Sequence, residues 1–334
     1  VQRTLALVSA AFVVLLSACS KGSTVTSTAA PPTAPPFVPK FTSEYPIPTA
    51  SAQPAAISKG NDGGLWFTET AVGQIGHLTT QGVVVETALP QAGEQPKGIV
   101  QGPDGNIWFT EAATARIAWI SPGGSEIAEY QLPSANAAPQ GITVGPDGAL
   151  WFTETGTGRI GRITTTGTIT EYGGLNAGAA PTAIVTGPDG ALWFLDPGTN
   201  AIGRITTSGA VTEYPIPTAS ASPSALVAGN DGAVWFVESA ADKLGRIAQN
   251  GSITEYPLSG VQRPVGLVLG ADGNFYISDG AANDVAQFSP SSRSVTATYA
   301  IPTASSQPAA ETLGVDQLDY IVELAGNKIA QFTY

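Results

Sequence analysis

The chain has a single cysteine, Cys19, so no disulfide can form within it and CxxC redox chemistry is excluded. It has a single histidine, His77, and no Ser/His/Asp arrangement can be assembled around it from the sequence. No glycine-rich phosphate loop is present. Only 12% of residues are charged, the net charge is −12, and Lys and Arg nowhere cluster. Such a chain has nothing with which to displace phosphate counterions, which excludes nucleic acid as a partner. No sustained 3.6-residue period appears, which argues against a helical protein. The longest apolar run, Leu5–Ser17, is thirteen residues. That is too short to span a hydrocarbon layer of about 30 Å.

What is abundant is glycine, proline and repetition. A proline opens an apolar run, a Gly-x-Asp-Gly turn follows, then an aromatic pair ending in an acid, then an Ile-Gly-Arg-Ile strand. The opening prolines are Pro54, Pro96, Pro139, Pro181, Pro223, Pro264 and Pro308, spaced 42, 43, 42, 42, 41 and 44 residues apart. A period of about 40–45 residues with four short strands is the signature of a propeller blade. The expected fold is an all-β, seven-bladed β-propeller of four-stranded antiparallel blades over residues 41–334.

The blade from Pro139 illustrates the reading. Ile142 and Val144 lie in an inner strand, and Gly145–Gly148 supplies a hairpin turn. Leu150–Glu154 is a second strand, apolar on both faces as a sandwiched sheet requires. Arg159–Thr164 and Thr168–Tyr172 complete the sheet. Trp66, Trp108, Trp151, Trp193, Trp235, Tyr276 and Tyr320 occupy one slot and are expected to pack the seams between blades. The outer-strand motif occurs once too early, at Thr42–Pro48, and the seventh repeat stops after its third strand. The N-terminal strand is therefore expected to complete the last blade. The closed ring protects its strand edges and is expected to be a monomer.

The N-terminus reads as an address. Arg3 and the apolar Leu5–Ser17 form a signal-peptide pattern. Leu16-Ser17-Ala18-Cys19 resembles the bacterial lipoprotein signal, which makes residues 1–18 a signal peptide and Cys19 the lipidated residue. Residues 19–40, rich in Ser, Thr, Ala and Pro, read as an extended tether. The expected location is the bacterial cell envelope, held to the membrane through a lipid anchor only. Ser20 after the cysteine favours the outer membrane where two membranes exist.

Each second strand ends in an acid: Glu69, Glu111, Glu154, Asp196, Glu238, Asp279 and Glu323. In a propeller these are expected to face one mouth of the central channel, where a carboxylate ring can hold a divalent cation or a cationic ligand. Arg116, Arg159, Lys243 and Lys328 lie five residues beyond such acids and are expected to neutralise them. Gln74, Ala201 and Asp284 stand in that place elsewhere. Glu69, Asp196 and Asp279 are thus expected to be unpaired and, with Glu323, to be the ligand- or metal-binding candidates. Oxygen-only donors point to Mg²⁺ or Ca²⁺. The outer-strand acids Glu129, Glu171, Glu213 and Glu255 are expected to pair with third-strand arginines. His77 fills the slot of Arg162, Arg204 and Arg246 and reads as their structural substitute.

The segments LWFTE, IGRIT and TEYPIP, at this period and repeated around the ring, resemble the virginiamycin B lyase family over roughly residues 41–334. The resemblance implies a lyase that linearises cyclic streptogramin B antibiotics with Mg²⁺ and a histidine base. It also implies where the base should stand, directly after an opening proline. Those positions hold Ala55, Lys97, Gln140, Thr182, Ser224, Val265 and Ala309. Of the metal-ligand positions implied for the last blade, one holds Gln307 and the other Glu323. The expectation is a binding or interaction module without the family's catalytic histidines, its partner a small molecule or an envelope protein. The alternative is a metal-dependent lyase or lactone hydrolase that uses the acidic ring, with Asn200 and Asn283 near the same rim.

Overall fold

The structure, a computed structural model, describes residues 39–334 apart from Ala92. The signal peptide, Cys19 and nearly all of the tether lie outside the described residues. The described chain forms seven four-stranded antiparallel sheets and no helix. In six of them the strands follow chain order from the channel outward.

In the blade that opens at Pro139, the strands are Pro139–Val144, Leu150–Glu154, Arg159–Ile163 and Ile169–Tyr172. Its turn works as a bracket. Gly148 adopts a φ of 73°, which a side chain disfavours. Asp147 Oδ1 accepts the indole N–H of Trp151 at 3.0 Å, and its Oδ2 accepts Arg162 Nε at 2.7 Å. The guanidinium in turn lies 6.0 Å over the Trp151 ring. Burial pushes the Asp147 carboxyl up, but these donors outweigh it and hold the group below its ordinary value. In the first blade His77 takes the arginine's place. It stacks on Trp66 at 4.1 Å with an interplanar angle of 7°, and its Nε2 lies 3.0 Å from Asp62 Oδ2.

All five residues of every second strand are buried. The aromatic slot packs seams, as its repetition predicts. Trp108 belongs to a cluster with Ile142, Leu150, Phe152 and Ile163 of the next blade, and Trp235 likewise joins Phe275, Ile277 and Phe288. A ring of this size buries about 150–250 Å², a gross transfer term of about 4–6 kcal/mol at ~25 cal/mol/Å². The glycine of the third strand has a packing cause: a Cβ on Gly161 would stand 2.0 Å from the Phe152 ring.

Closure is as expected. Lys40–Pro46 pairs antiparallel with Lys328–Thr333 as the outer strand of the seventh sheet. The Asn327 side chain fastens it, donating to the carbonyls of Ile47 and Thr49, each at 3.0 Å, and accepting the Ala52 N–H at 2.9 Å.

Candidate functional site

The inner strands surround a channel. The wall one step in from the opening prolines is small, with Ala56, Gly98, Gly141, Ala183, Ala225, Gly266 and Ala310 following one another around it. Crowding near the axis accounts for this, since a Cβ on Gly98 would meet the Gln140 carbonyl at 2.2 Å. The next position along each inner strand holds Ile57, Ile99, Ile142, Ile184, Leu226 and Leu267, and in the seventh blade Glu311. The cavity these strands enclose measures about 420 Å³. A second space of about 260 Å³ lies over it at the proline end, lined by Lys97, Gln140, Thr182 and Ser224 among others. Burial pushes the Lys97 ammonium pKa down. Ser224 Oγ lies 2.6 Å from Ser239 Oγ, and both hydroxyls approach the Pro264 carbonyl, so this pair is spent on backbone.

Glu311 is the one carboxylate in the cavity wall. It stands where the other six blades place isoleucine or leucine. Its Oε2 accepts the Ser278 hydroxyl at 3.1 Å, and its Oε1 is buried with no hydrogen-bond partner. Behind it is Asp319, fully buried, in a slot filled elsewhere by Leu65, Ile107, Leu150, Leu192, Val234 and Phe275. Two aliphatic core positions have thus become carboxyls in the same blade. Burial raises the pKa of both, and the nearby Asp319 charge raises Glu311 further. Both effects favour the protonated forms.

The seven second-strand acids are not on the rim. Glu69, Glu111, Glu154, Asp196, Glu238, Asp279 and Glu323 are all at 0% exposure. The loop leading to each opening proline closes over the strand end, as in the bonds Ala71 N–H to Ala52 O and Gly156 N–H to Ala137 O. Nor are the basic residues their partners. Arg116, Arg159, Lys243 and Lys328 pair with the outer-strand acids Glu129, Glu171, Glu255 and Glu44 at 3.0, 3.4, 2.8 and 2.8 Å. Arg162, Arg204 and Arg246 pair with turn aspartates instead. The pairing of outer-strand acids with third-strand arginines therefore holds only for Arg116 and Arg159.

The candidates differ by length. The shorter Asp279 accepts the N–H groups of Gln262, Arg263, Ala281 and Ala282 at 2.7–3.2 Å. Asp196 accepts those of Ala180, Gly198 and Thr199 and the Thr199 hydroxyl. Both are occupied by backbone donors. The longer glutamates instead reach the outer-strand acids of their own blade. Burial first, and repulsion from Glu86, push Glu69 up to about 8; burial first, and Glu44, push Glu323 up to about 7. Asn200 and Asn283, like Asn327, bind backbone: Asn200 donates to Ile216 and Thr218 carbonyls, Asn283 to those of Ile301 and Thr303.

The Mg²⁺ site implied by the family does not fit these residues. Gln307 is exposed, and Glu323 is sealed inside the blade facing Glu44. Glu311 and Asp319 were missed because each was read by itself. Reading down one slot of the repeat, carboxyl against six aliphatics, exposes both.

The fold and the repeat both have known relatives. A streptogramin B lyase structure shares 34% identity over 87% of this chain and 96% of that one, with a TM-score of 0.82. Virginiamycin B lyase from Staphylococcus aureus shares 35% identity over 89% of this chain and 100% of its own, TM-score 0.83. A catalytically inactive histidine-to-alanine variant of that lyase, with quinupristin, matches equally. Hydrazine synthase from Kuenenia stuttgartiensis, at 16% identity and a TM-score of 0.68, shares the fold alone. No curated protein sequence matches the chain. The profile of the virginiamycin B lyase family matches residues 40–332, nearly the whole propeller, and with the lyase structures it shows that the chain belongs to that family.

Proposed function

We propose that this protein is an exported, lipid-anchored propeller that binds a small molecule in its central channel and does not linearise streptogramins. The observation that carries the reading is the cavity wall: small and aliphatic except for Ser224, whose hydroxyl is spent on backbone, and Glu311 backed by Asp319. Such a wall selects an apolar body, and the Glu311 carboxyl within it selects a cation or a hydrogen-bond donor upon that body. The residues after the opening prolines supply no imidazole, whereas replacing a histidine inactivates the S. aureus lyase. Removing a general base costs about 10²–10⁴-fold.

The purified protein is tested in two ways. With quinupristin, with or without Mg²⁺, no linear product is expected. In calorimetric titrations, benzylammonium is expected to bind more tightly than benzyl alcohol. The variant Glu311→Leu with Asp319→Leu, which restores the residue class of the other blades, is expected to fold and lose that preference. Turnover comparable with a family lyase would overturn the non-lyase reading. Equal binding of the amine and the alcohol, or none of either, would overturn the channel reading.

A further inference from the structure

Blade two carries a carboxylate that its counterparts lack. Glu94 lies two residues before its opening proline, where other blades have Ala52, Ala137, Ala179, Ala221, Gln262 and Ser306. Its side chain meets the acid pair that the blade shares with its neighbours, Glu111 on the second strand and Glu129 on the outer strand. One oxygen from each of Glu94, Glu111 and Glu129 lies within 4.8 Å of the others. Glu94 and Glu111 are at 0% exposure.

The three carboxylates share one pattern of bonding. Each has one oxygen held by the protein. Glu94 Oε1 accepts the Gln91 N–H at 3.0 Å, and Glu111 Oε2 accepts the Thr114 hydroxyl at 3.1 Å. Glu129 Oε2 accepts Arg116 Nη1 at 3.0 Å and Gln91 Nε2 at 3.3 Å. The second oxygens, Glu94 Oε2, Glu111 Oε1 and Glu129 Oε1, are buried without a partner. Buried oxygens without donors are costly. Holding the outer oxygens fixes the inner ones in place, as the surroundings of a metal centre do.

We propose that Glu94, Glu111 and Glu129 bind one divalent cation, calcium, within blade two. Three carboxylates against the single Arg116 leave a charge of about −2, which one such ion cancels. Oxygen donors exclude a preference for softer metals. Calcium sits about 2.3–2.6 Å from its oxygens and tolerates irregular sites. Magnesium needs about 2.0–2.1 Å and keeps several waters, for which a sealed site has less room. The ion is structural and independent of the channel, since it ties the loop before Pro96 to two strands of the blade.

The test uses the whole protein, stripped with EDTA, dialysed and titrated with CaCl₂ or MgCl₂ by calorimetry, with thermal melting alongside. One calcium per chain is expected, with a higher melting temperature than in magnesium at equal concentration. Glu94→Ala, which restores the alanine found in other blades, is expected to fold and to weaken calcium binding by about tenfold or more, because fewer charged ligands remain. Glu154→Gln, in a neighbouring blade without the third carboxylate, is expected to leave binding unchanged. No calcium binding in the parent would overturn the proposal. So would calcium binding that survives Glu94→Ala undiminished, or that is lost equally in Glu154→Gln.

Discussion

Glu69 shows what the paired carboxyls do to stability. It has Gln74 opposite it where four other blades have a base, and Glu86 beside it. Burial first and that neighbour second raise it to about 8, and burial chiefly raises Glu154 and Glu238 to about 7. A folded-state pKa above the unfolded value means that the native protein keeps a proton that the unfolded chain gives up. The stability contributed by these groups is full below about pH 4.5 and is lost as pH rises through 7 to 8. Within that window each group contributes a slope of up to about 1.4 kcal/mol per pH unit. The melting temperature is therefore expected to fall from pH 5 to pH 9. Glu69→Gln, neutral at every pH, should melt higher than the parent at pH 8.5 and much the same at pH 5. A Glu69→Gln variant that tracks the parent at both pH values would mean that Glu69 is ionised in the native state. The sequence marked this acid as lacking a basic partner, but the bases of the other blades pair with outer-strand acids instead. It did not show the depth of the site, because depth is set by the loop that folds over the strand end, through bonds such as Ala71 N–H to Ala52 O. A position in a repeat specifies place along a strand and leaves that cover unstated.

The elements were far more legible than the site. The spacing of the opening prolines, the Gly-x-Asp-Gly turns and the aromatic slot all follow from local chemistry repeated in register, and each survives in the sheets. Closure was legible for a different reason: one outer-strand motif too many at Thr42–Pro48 and one too few after Thr333. The latch was not, because Asn327 reaches residues nearly a full chain length away. Its side chain makes three hydrogen bonds to the segment that follows the closing strand. Each is worth about 0.5–1.5 kcal/mol net, and an orphaned buried group costs more. Asn327→Ala is expected to lower global stability by about 2–4 kcal/mol, read as a shifted midpoint with an unchanged denaturant slope. Asn200→Ala, at the equivalent latch inside the ring, should cost a similar amount. A negligible shift in Asn327→Ala would show that strand pairing alone holds the ring shut.

At the scale of the whole molecule, closure brings the two ends of the described chain together. Lys40, the first residue of the closing strand, pairs with Thr333 near the other end of the chain. The anchor proposed at Cys19 stands about twenty residues before the closing strand. One lipid chain alone binds membranes reversibly, and stable attachment takes more than one. The anchor proposed at Cys19 rests on the Leu16–Cys19 pattern. Cys19→Ser is therefore expected to move the protein from the membrane fraction to the soluble one without changing its melting temperature, since the propeller begins some twenty residues later. Mass spectrometry of the membrane-bound parent should find acyl chains at an N-terminal cysteine. A parent without acylation, or a Cys19→Ser variant that remains with the membrane after a high-salt wash, would place the attachment elsewhere in the chain.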